Sequence, residues 1–239
     1  MTAFQFHYFQ STVSNTGSSP LTLNLPNVLP PGSLLLIGVG FGAASQTISS
    51  IVIGSGAGTF TRIGTTTGGS RTLELWLGYN FTGYPASYVV TWTGGGTAAV
   101  VGTCLFADSD LTVTPTITAG TPTSGTSTTL DSGILTPRAG DLLVAFGVYA
   151  STTAPTTRAS TGNTFINWTE YAYTVGTTEL SLAYAPARGA VSSRLQWTIP
   201  SVAWLGQVAT LTFASPAAPA AAFVYKGRDS STADAGTVP

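Results

Sequence analysis

The chain has 239 residues, of which 43% are hydrophobic and 7% charged, and its formal net charge is −1. Disordered chains combine low hydrophobicity with high charge, so this composition excludes a largely disordered protein. Lys226 is the only lysine and the arginines form no basic stripe, which argues against nucleic-acid binding. No run of about 18 apolar residues is present to predict a membrane span.

The N-terminal segment Phe4–Phe9 is predicted to be an aromatic strand. It either completes the first domain or reaches to a neighbouring molecule. The N-terminus lacks a basic region followed by an apolar core, so synthesis in a cytoplasm is expected. Gly- and Ser-rich turns then separate short apolar runs, a pattern typical of an all-β sandwich.

Two apolar runs, 34–41 and 142–148, are too short and too interrupted by glycine to predict helices. Each is predicted to be a central strand with both faces covered. Asp141, directly after Gly140, is expected to cap the turn into the second run through its side chain.

Later strands alternate between apolar and polar residues. Period two places Leu73, Leu75 and Leu77 toward the core, and likewise Leu180, Leu182 and Tyr184. The same alternation predicts that Glu74, Trp76, Glu179 and Ser181 point outward. Trp92 and Trp197 are in phase with their apolar neighbours and are predicted to be core residues.

The sequence is duplicated at a spacing of about 105–108 residues, which exceeds the period of solenoid repeats (about 20–50 residues) and indicates two domains in tandem. The matching segments are 30–39 with 137–148, 58–60 with 163–165, 73–79 with 178–184, 88–93 with 193–198, and 104–106 with 211–213.

We therefore predict a first domain over residues 1–109 and a second over 110–214, joined at a polar turn near Asp108 and Asp110. Residues 215–239 form a Pro/Ala-rich linker and a C-terminal tail, in which 223–225 is a short strand-like hook.

Candidate catalytic and metal-binding residues are sparse. A lone His7 cannot form a Ser-His-Asp triad without a nucleophile motif, and it is expected to face outward as a neutral side chain. One histidine and one cysteine far apart provide no zinc site. Cys104 is expected to be a small buried hydrophobe. Asp108 and Asp110 would suit calcium, but a solvated linker turn is preferred.

Glycosidase chemistry requires two carboxylates beside one bond. Glu74 and Glu179 occupy matching positions in different domains, so they would share a site only if the domains faced each other. We expect no enzyme activity, no cofactor and no metal.

Aromatic residues without a partner in the duplicate are the best candidates for contacts with another molecule, because the fold does not require them. Trp76 matches Ser181, and Trp168 and Trp204 are also unmatched. A tryptophan of this kind anchors a protein partner or stacks on a sugar, unless a loop or the sister domain covers it. The candidate contact residues are Phe4, Phe6, Tyr8, Trp76, Trp204, Phe223 and Tyr225.

Segments 137–145, 163–165, 180–184 and 193–197 resemble a β-sandwich module of tailed-phage virion proteins and some bacterial surface proteins. That module has a Pro-x-x-Gly-Asp-Leu-Leu-Val-Ala strand, followed by Leu-x-Leu-x-Tyr and Tyr-x-x-x-Trp strands. The first half departs from it at Ser33 and the second at Ser193. The resemblance covers about residues 10–214. It implies jelly-roll-like antiparallel sandwiches and a virion or surface setting, with no active-site residues.

The sequence therefore predicts an all-β protein of two tandem antiparallel β-sandwich domains with extended N- and C-terminal arms. The expected function is that of a non-enzymatic capsid decoration or cement protein on the outside of a phage head. Its partners would be the major capsid protein or other virion subunits, with self-association on the particle and no nucleic acid or membrane. The alternative is a tail- or fibre-associated or receptor-binding module whose partner is a glycan.

Overall fold

The structure is a computed structural model, and it describes residues 19–25, 28–94, 99–107, 115–161, 169–175, 177–187 and 189–212. Regular structure in these ranges consists of β-strands. Within the same ranges no helix has the length and apolarity needed to cross a membrane.

The described part of the first half forms β1 (Leu21–Asn24), β2 (Ser33–Phe41), β3 (Thr47–Ile53), β4 (Ala57–Gly68), β5 (Arg71–Thr82), β6 (Ser87–Thr93) and β7 (Ala99–Ala107). The second half forms β8 (Thr116–Ala119), β9 (Thr123–Asp131), β10 (Leu142–Tyr149), β11 (Thr157–Thr161), β12 (Thr169–Val175), β13 (Thr178–Pro186) and β14 (Arg194–Thr212). The prediction of an all-β chain is confirmed.

The strand pairs of the described residues are antiparallel, and they form three sheets. Sheet A has the order β1-β6-β3, and sheet B has the order β4-β5-β2-β7. Sheet C contains the path β11-β14-β10-β13-β12, with β8 and β9 also paired to β14. The long strand β14 therefore takes the place of both β6 and β7. Its first part lies between β9 and β11, and its second part lies beside β10, so the strand order of the first half occurs again.

Strands β2 and β10 have the central positions predicted for the two apolar runs. Every residue of β2 and β10 is buried. Each strand has a neighbour on both edges, since β2 lies between β5 and β7, and β10 lies between β13 and β14. The predicted turn before β10 is also confirmed, because the Arg138 backbone N–H donates to Asp141 Oδ2 at 2.7 Å.

Among the residues that the structure describes, three apolar clusters hold the sheets together. The first core lies between sheets A and B and contains residues such as Leu23, Ile37, Phe41, Val90 and Trp92. The second core lies where sheet C folds back on itself, and it brings Trp197 of the first part of β14 against Val208 of the second part. Trp92 is 6% exposed and Trp197 1% exposed, which confirms both as core residues.

The third cluster, here called the shared core, joins the two halves of the chain. It combines residues from sheet B with residues from sheet C: Leu34, Leu36, Ile63, Leu73, Leu75, Leu77, Leu142, Val144, Phe146, Val148, Leu180, Leu182, Tyr184, Leu205, Ala209 and Leu211. The two halves thus pack face to face through their leucine-rich strands. Burying these side chains supplies a hydrophobic driving force of about 25 cal/mol per Å² for keeping the halves together.

Glycines allow the sheets to approach closely at the shared core. A Cβ atom added to Gly38 would lie 3.1 Å from the Phe146 ring, and one added to Gly40 would lie 2.8 Å from a Val148 methyl group. These contacts also give the direction of the strands. Moving from Gly38 to Gly40 along β2 corresponds to moving from Phe146 to Val148 along β10, so the two strands run in the same direction across the interface.

The match between the halves differs in detail from the sequence alignment. Gly32 precedes β2 as Gly140 precedes β10, and the two glycines are about 108 residues apart in sequence. The same offset makes Gly38 of β2 the counterpart of Phe146 of β10. Because Leu75 is opposite Gly38 and Leu182 is opposite Phe146, Leu75 matches Leu182 rather than Leu180. A slip of two residues keeps every side chain on the same face of the strand, so the alternating pattern does not reveal it.

The predicted boundaries at 109/110 and 214/215 fall outside the described residues and stay predictions.

Candidate interaction site

Glu74 and Trp76 occupy one face of β5 and point into the first half of the molecule. Glu74 is fully buried, which corrects the prediction that it faces outward. Its Oε1 accepts hydrogen bonds from Thr47 Oγ1 and from the Ile48 backbone N–H, the latter at 3.0 Å. Its Oε2 accepts a hydrogen bond from Trp76 Nε1 at 2.9 Å. The outward prediction was wrong because β5 lies in a sheet that is covered on both faces.

Trp76 is half-buried and packs against the first core. The Arg62 guanidinium carbon lies 6.0 Å from the centroid of its ring, near the outer limit for a cation–π contact. Its indole N–H is used by Glu74, and one face of the ring is approached by Arg62. Trp76 is therefore integrated into its own sheet, and its role as a partner contact stays a prediction.

Glu179 and Ser181 are also buried, so the prediction that they face outward is wrong. They alternate with Leu180 and Leu182, which belong to the shared core, and are in phase with Ala183 and Ala185 of the second core. Glu74 likewise points away from the shared core. Although the two halves face each other, these two carboxylates lie on opposite sides of the interface and do not form one site.

Trp204 is 8% exposed and belongs to the second core. Its Nε1 donates a hydrogen bond to Ser127 Oγ at 3.0 Å, and its ring lies over Gly125, where an added Cβ would be 2.8 Å away. The remaining candidate contact residues, Phe4, Phe6, Tyr8, Phe223 and Tyr225, lie outside the described residues, as do His7, Asp108, Asp110 and Trp168.

An ion pair lies on the outer face of the second half. Asp131 Oδ2 accepts hydrogen bonds from Arg194 Nη1 at 3.2 Å and from Gln196 Nε2 at 2.9 Å. Its Oδ1 accepts one from the Gly133 backbone N–H at 2.9 Å. This carboxylate is thus engaged in linking β9 to β14. Among the described residues, no three histidine, cysteine or acidic side chains are grouped so as to hold a metal ion.

Five large hydrophobic side chains in the described structure are exposed, and sequence reasoning did not single them out. They are Val28 (47%), Val52 (57%), Tyr84 (58%), Ile134 (59%) and Val191 (44%). Single exposed hydrophobic side chains are normal in folded proteins, so the exposure of each one does not by itself indicate a binding surface. Their positions relative to one another are more informative.

In the first half, Val28, Tyr84 and Val52 lie at one end of the sheets. Val28 and Tyr84 belong to the segments that precede β2 and follow β5, and the Leu29 backbone N–H donates to the Pro85 carbonyl at 2.8 Å. Val52 is next to the last residue of β3, where the Gly54 N–H donates to the Ser87 carbonyl at 2.9 Å. All three therefore lie at the end where β2 begins.

Ile134 and Val191 lie at the corresponding end of the second half. Their segments precede β10 and follow β13, and they are joined by reciprocal backbone hydrogen bonds between Leu135 and Ser193 of 3.0 and 2.8 Å. Because β2 and β10 run in the same direction across the shared core, the beginnings of both strands lie at one end of the molecule. The five residues Val28, Val52, Tyr84, Ile134 and Val191 together are here called the apolar end.

The described loops at the opposite end have a different character. Residues 42–46, 69–70 and 150–156 consist of glycine, alanine, serine, threonine, one glutamine and one proline. The molecule is therefore polarised along its strands, with large exposed hydrophobics at one end and small or polar residues at the other. A sequence signal for the apolar end does exist, since Val28 and Tyr84 are large apolar residues next to proline-containing turns.

Comparisons of the chain with protein-family models, with curated proteins and with solved structures found no match.

Proposed function

We propose that this chain is a non-enzymatic structural protein of a tailed-phage virion, a decoration protein that binds the outer surface of the head. In this proposal the two halves are tandem jelly-roll-like β-sandwich domains with terminal arms. The observation that carries the proposal is the apolar end, which offers large side chains from both halves for contact with capsid subunits or other virion proteins.

The chemistry of the apolar end suits a protein partner. Protein interfaces are built around buried aliphatic and aromatic side chains with few charges at their centre. Tyr84, at 58% exposure, can bury a large ring at low cost in side-chain entropy. The chain as a whole is poor in charge, with 7% charged residues, so attachment would depend little on ion pairs and would resist added salt.

The shared core supports the same proposal. A cement protein has to transmit force between the subunits that it joins. Because the two halves are packed through the shared core, the exposed hydrophobic residues of both halves are held at the same end of one packed body. Strand β14 ends at Thr212 on the same end of the molecule, so the C-terminal arm begins next to this surface.

The proposal is tested first by location. Purified virions of the phage that encodes this chain are separated into heads and tails, and the chain is quantified in each fraction by mass spectrometry. Gold-labelled antibody then locates it on intact particles. We expect it on the outside of heads in a fixed number of copies, and its recovery only in tails or only in lysate would contradict the proposal.

The second test concerns the apolar end. A variant with Tyr84→Ser and Ile134→Ser changes two exposed residues and should fold normally, but it should bind weakly to particles that lack the protein. The matched control is Ala44→Ser with Thr152→Ser at the opposite end, which should bind like the native chain. Equal binding of both variants would contradict the use of the apolar end.

A carbohydrate-binding module is the alternative, and Trp76 would be its stacking residue. A glycan-array signal that is lost on Trp76→Ala, together with no binding to heads, would favour this alternative over the decoration role.

A further inference from the structure

Strand β7 forms an edge of sheet B. It pairs with β2 from Ser33↔Ala107 to Phe41↔Ala99, and within the described part of the chain no strand pairs with its other side. A strand edge presents unpaired N–H and C=O groups that readily accept another strand. The duplication of the chain indicates which segment fits here.

In the second half the corresponding edge is covered. The second part of β14 lies beside β10 as β7 lies beside β2, and its other side pairs with β8 from Ala209↔Ala119 to Thr212↔Thr116. Ile117 of β8 also packs against the shared core. A short strand that precedes the sandwich thus completes sheet C.

The pairing of β8 with β14 shows which residues of β7 have the equivalent positions in sheet B. Leu36 pairs with Cys104, and the matching Val144 pairs with Ala209. Cys104 therefore corresponds to Ala209, which is the residue opposite Ala119 of β8. Residues 104–107 of β7 are the ones whose counterparts on β14 are covered by β8, while the counterparts of 99–101 pair with β9.

The length of the chain before sheet A identifies the missing strand. The register Leu21↔Val90, continued by two residues, places Ser19 opposite Trp92, and the Trp92 backbone N–H donates to Ser19 Oγ at 2.8 Å. In the second half, Leu130 lies opposite Trp197, the counterpart of Trp92, so Leu130 is the counterpart of Ser19. Ile117 precedes Leu130 by 13 positions, and Phe6 precedes Ser19 by 13 positions.

We propose that residues 4–9 add to the free edge of β7 as an antiparallel strand of the same molecule, with Phe6 opposite Phe106 and Tyr8 opposite Cys104. Phe4, Phe6 and Tyr8 would then share one strand face, the face that corresponds to Ile117 and the shared core. The aromatic segment would complete sheet B as β8 completes sheet C. The proposal does not depend on the function proposed above.

The single cysteine of the chain provides the test. Residues directly opposite each other on antiparallel strands have Cα atoms about 4.5–5.5 Å apart, within the range that a disulfide spans. In the whole chain of 239 residues, Tyr8→Cys should therefore form an intramolecular disulfide with Cys104 under mild oxidation. The control is His7→Cys, which lies on the other face of the strand and should keep two free thiols.

The readouts are free-thiol titration, intact mass and non-reducing electrophoresis. Loss of both thiols in monomeric Tyr8→Cys, with His7→Cys unchanged, supports the proposal. Disulfide-linked dimers of Tyr8→Cys would show that a neighbouring molecule donates the strand and would overturn it. Equal oxidation of the two variants, or of neither, would also overturn it.

Amide hydrogen exchange gives an independent measurement on β7. Removing residues 2–10 should speed the exchange of amides in 103–107, because their covering strand is lost. Removing residues 227–239 is the matched control and should leave that exchange unchanged. Unchanged exchange after the N-terminal deletion would contradict the strand addition.

Discussion

Glu74 shows how the environment of one residue depends on the whole fold. Its carboxylate is fully buried, and both oxygens accept hydrogen bonds, from Thr47, Ile48 and Trp76. A buried carboxylate is tolerated when its oxygens are hydrogen-bonded, and hydrogen bonds to charged groups are the stronger ones. Glu74 thus connects β3 to β5 across the first core.

We predict that Glu74→Gln destabilises the protein by about 2 kcal/mol, because one carboxylate oxygen is replaced by an amide N–H₂ that faces a donor. The measurement is the midpoint of guanidinium unfolding. Thr65→Val is the matched control, since Thr65 is the exposed residue opposite Glu74 on β4, and its effect should stay within about 0.5 kcal/mol. A native-like midpoint for Glu74→Gln would show that these hydrogen bonds contribute little.

The sequence predicted part of this environment. Alternation correctly placed Leu73, Leu75 and Leu77 on a core face, and Trp92 and Trp197 in the cores. It assigned the other face of β5 to solvent, since period two reports the two faces but not what covers them. The leucine face is covered by the second half of the chain and the Glu74 face by sheet A, and no local pattern encodes that packing. The apolar end was missed because its five residues come from separate segments of the chain, which only the packing of the two halves brings to one end.

At the level of the strands, the spacing between sheets B and C depends on glycines. Gly38 and Gly40 of β2 leave room for Phe146 and Val148 of β10, which fill the space. Interiors are packed to the density of organic crystals, so an added methyl group here has to displace a neighbour. This complementarity is local to one strand pair and is not visible in the duplicated sequence pattern.

Gly40→Ala is therefore expected to destabilise the protein by about 1–3 kcal/mol through overpacking against Val148. In the double variant with Val148→Ala the effects should be non-additive by at least about 0.5 kcal/mol, because the second change makes room for the first. Gly189→Ala is the control, since nothing lies within 4 Å of its added Cβ. Additive free energies of unfolding for Gly40 and Val148 would count against the contact.

At the level of the whole molecule, the shared core makes the two halves one structural unit. Each half would expose a leucine-rich face if it were alone, and large exposed apolar patches are rare on soluble monomers. We therefore expect both halves to unfold together.

Phe146→Ala tests this cooperativity in the full chain. Truncating a buried phenylalanine costs about 3–5 kcal/mol, and the loss should lower a single calorimetric transition without splitting it. Hydrogen exchange in β2 and in β10 should increase together. Ile134→Ala, at an exposed site, is the control and should leave the transition unchanged. Two separate transitions would mean that the halves are independently stable.

The contact between Gly38 and Phe146 has a consequence for how this arrangement is encoded. The two residues occupy matching positions. In a symmetric pair of identical halves, this contact would therefore join two identical residues. Two glycines would leave a void, and two phenylalanines would collide. Only a first half paired with a second half satisfies both sides, and carrying them on one polypeptide guarantees that pairing. The two halves thus have complementary faces at this contact, and pairing of either half with a copy of itself is disfavoured by shape.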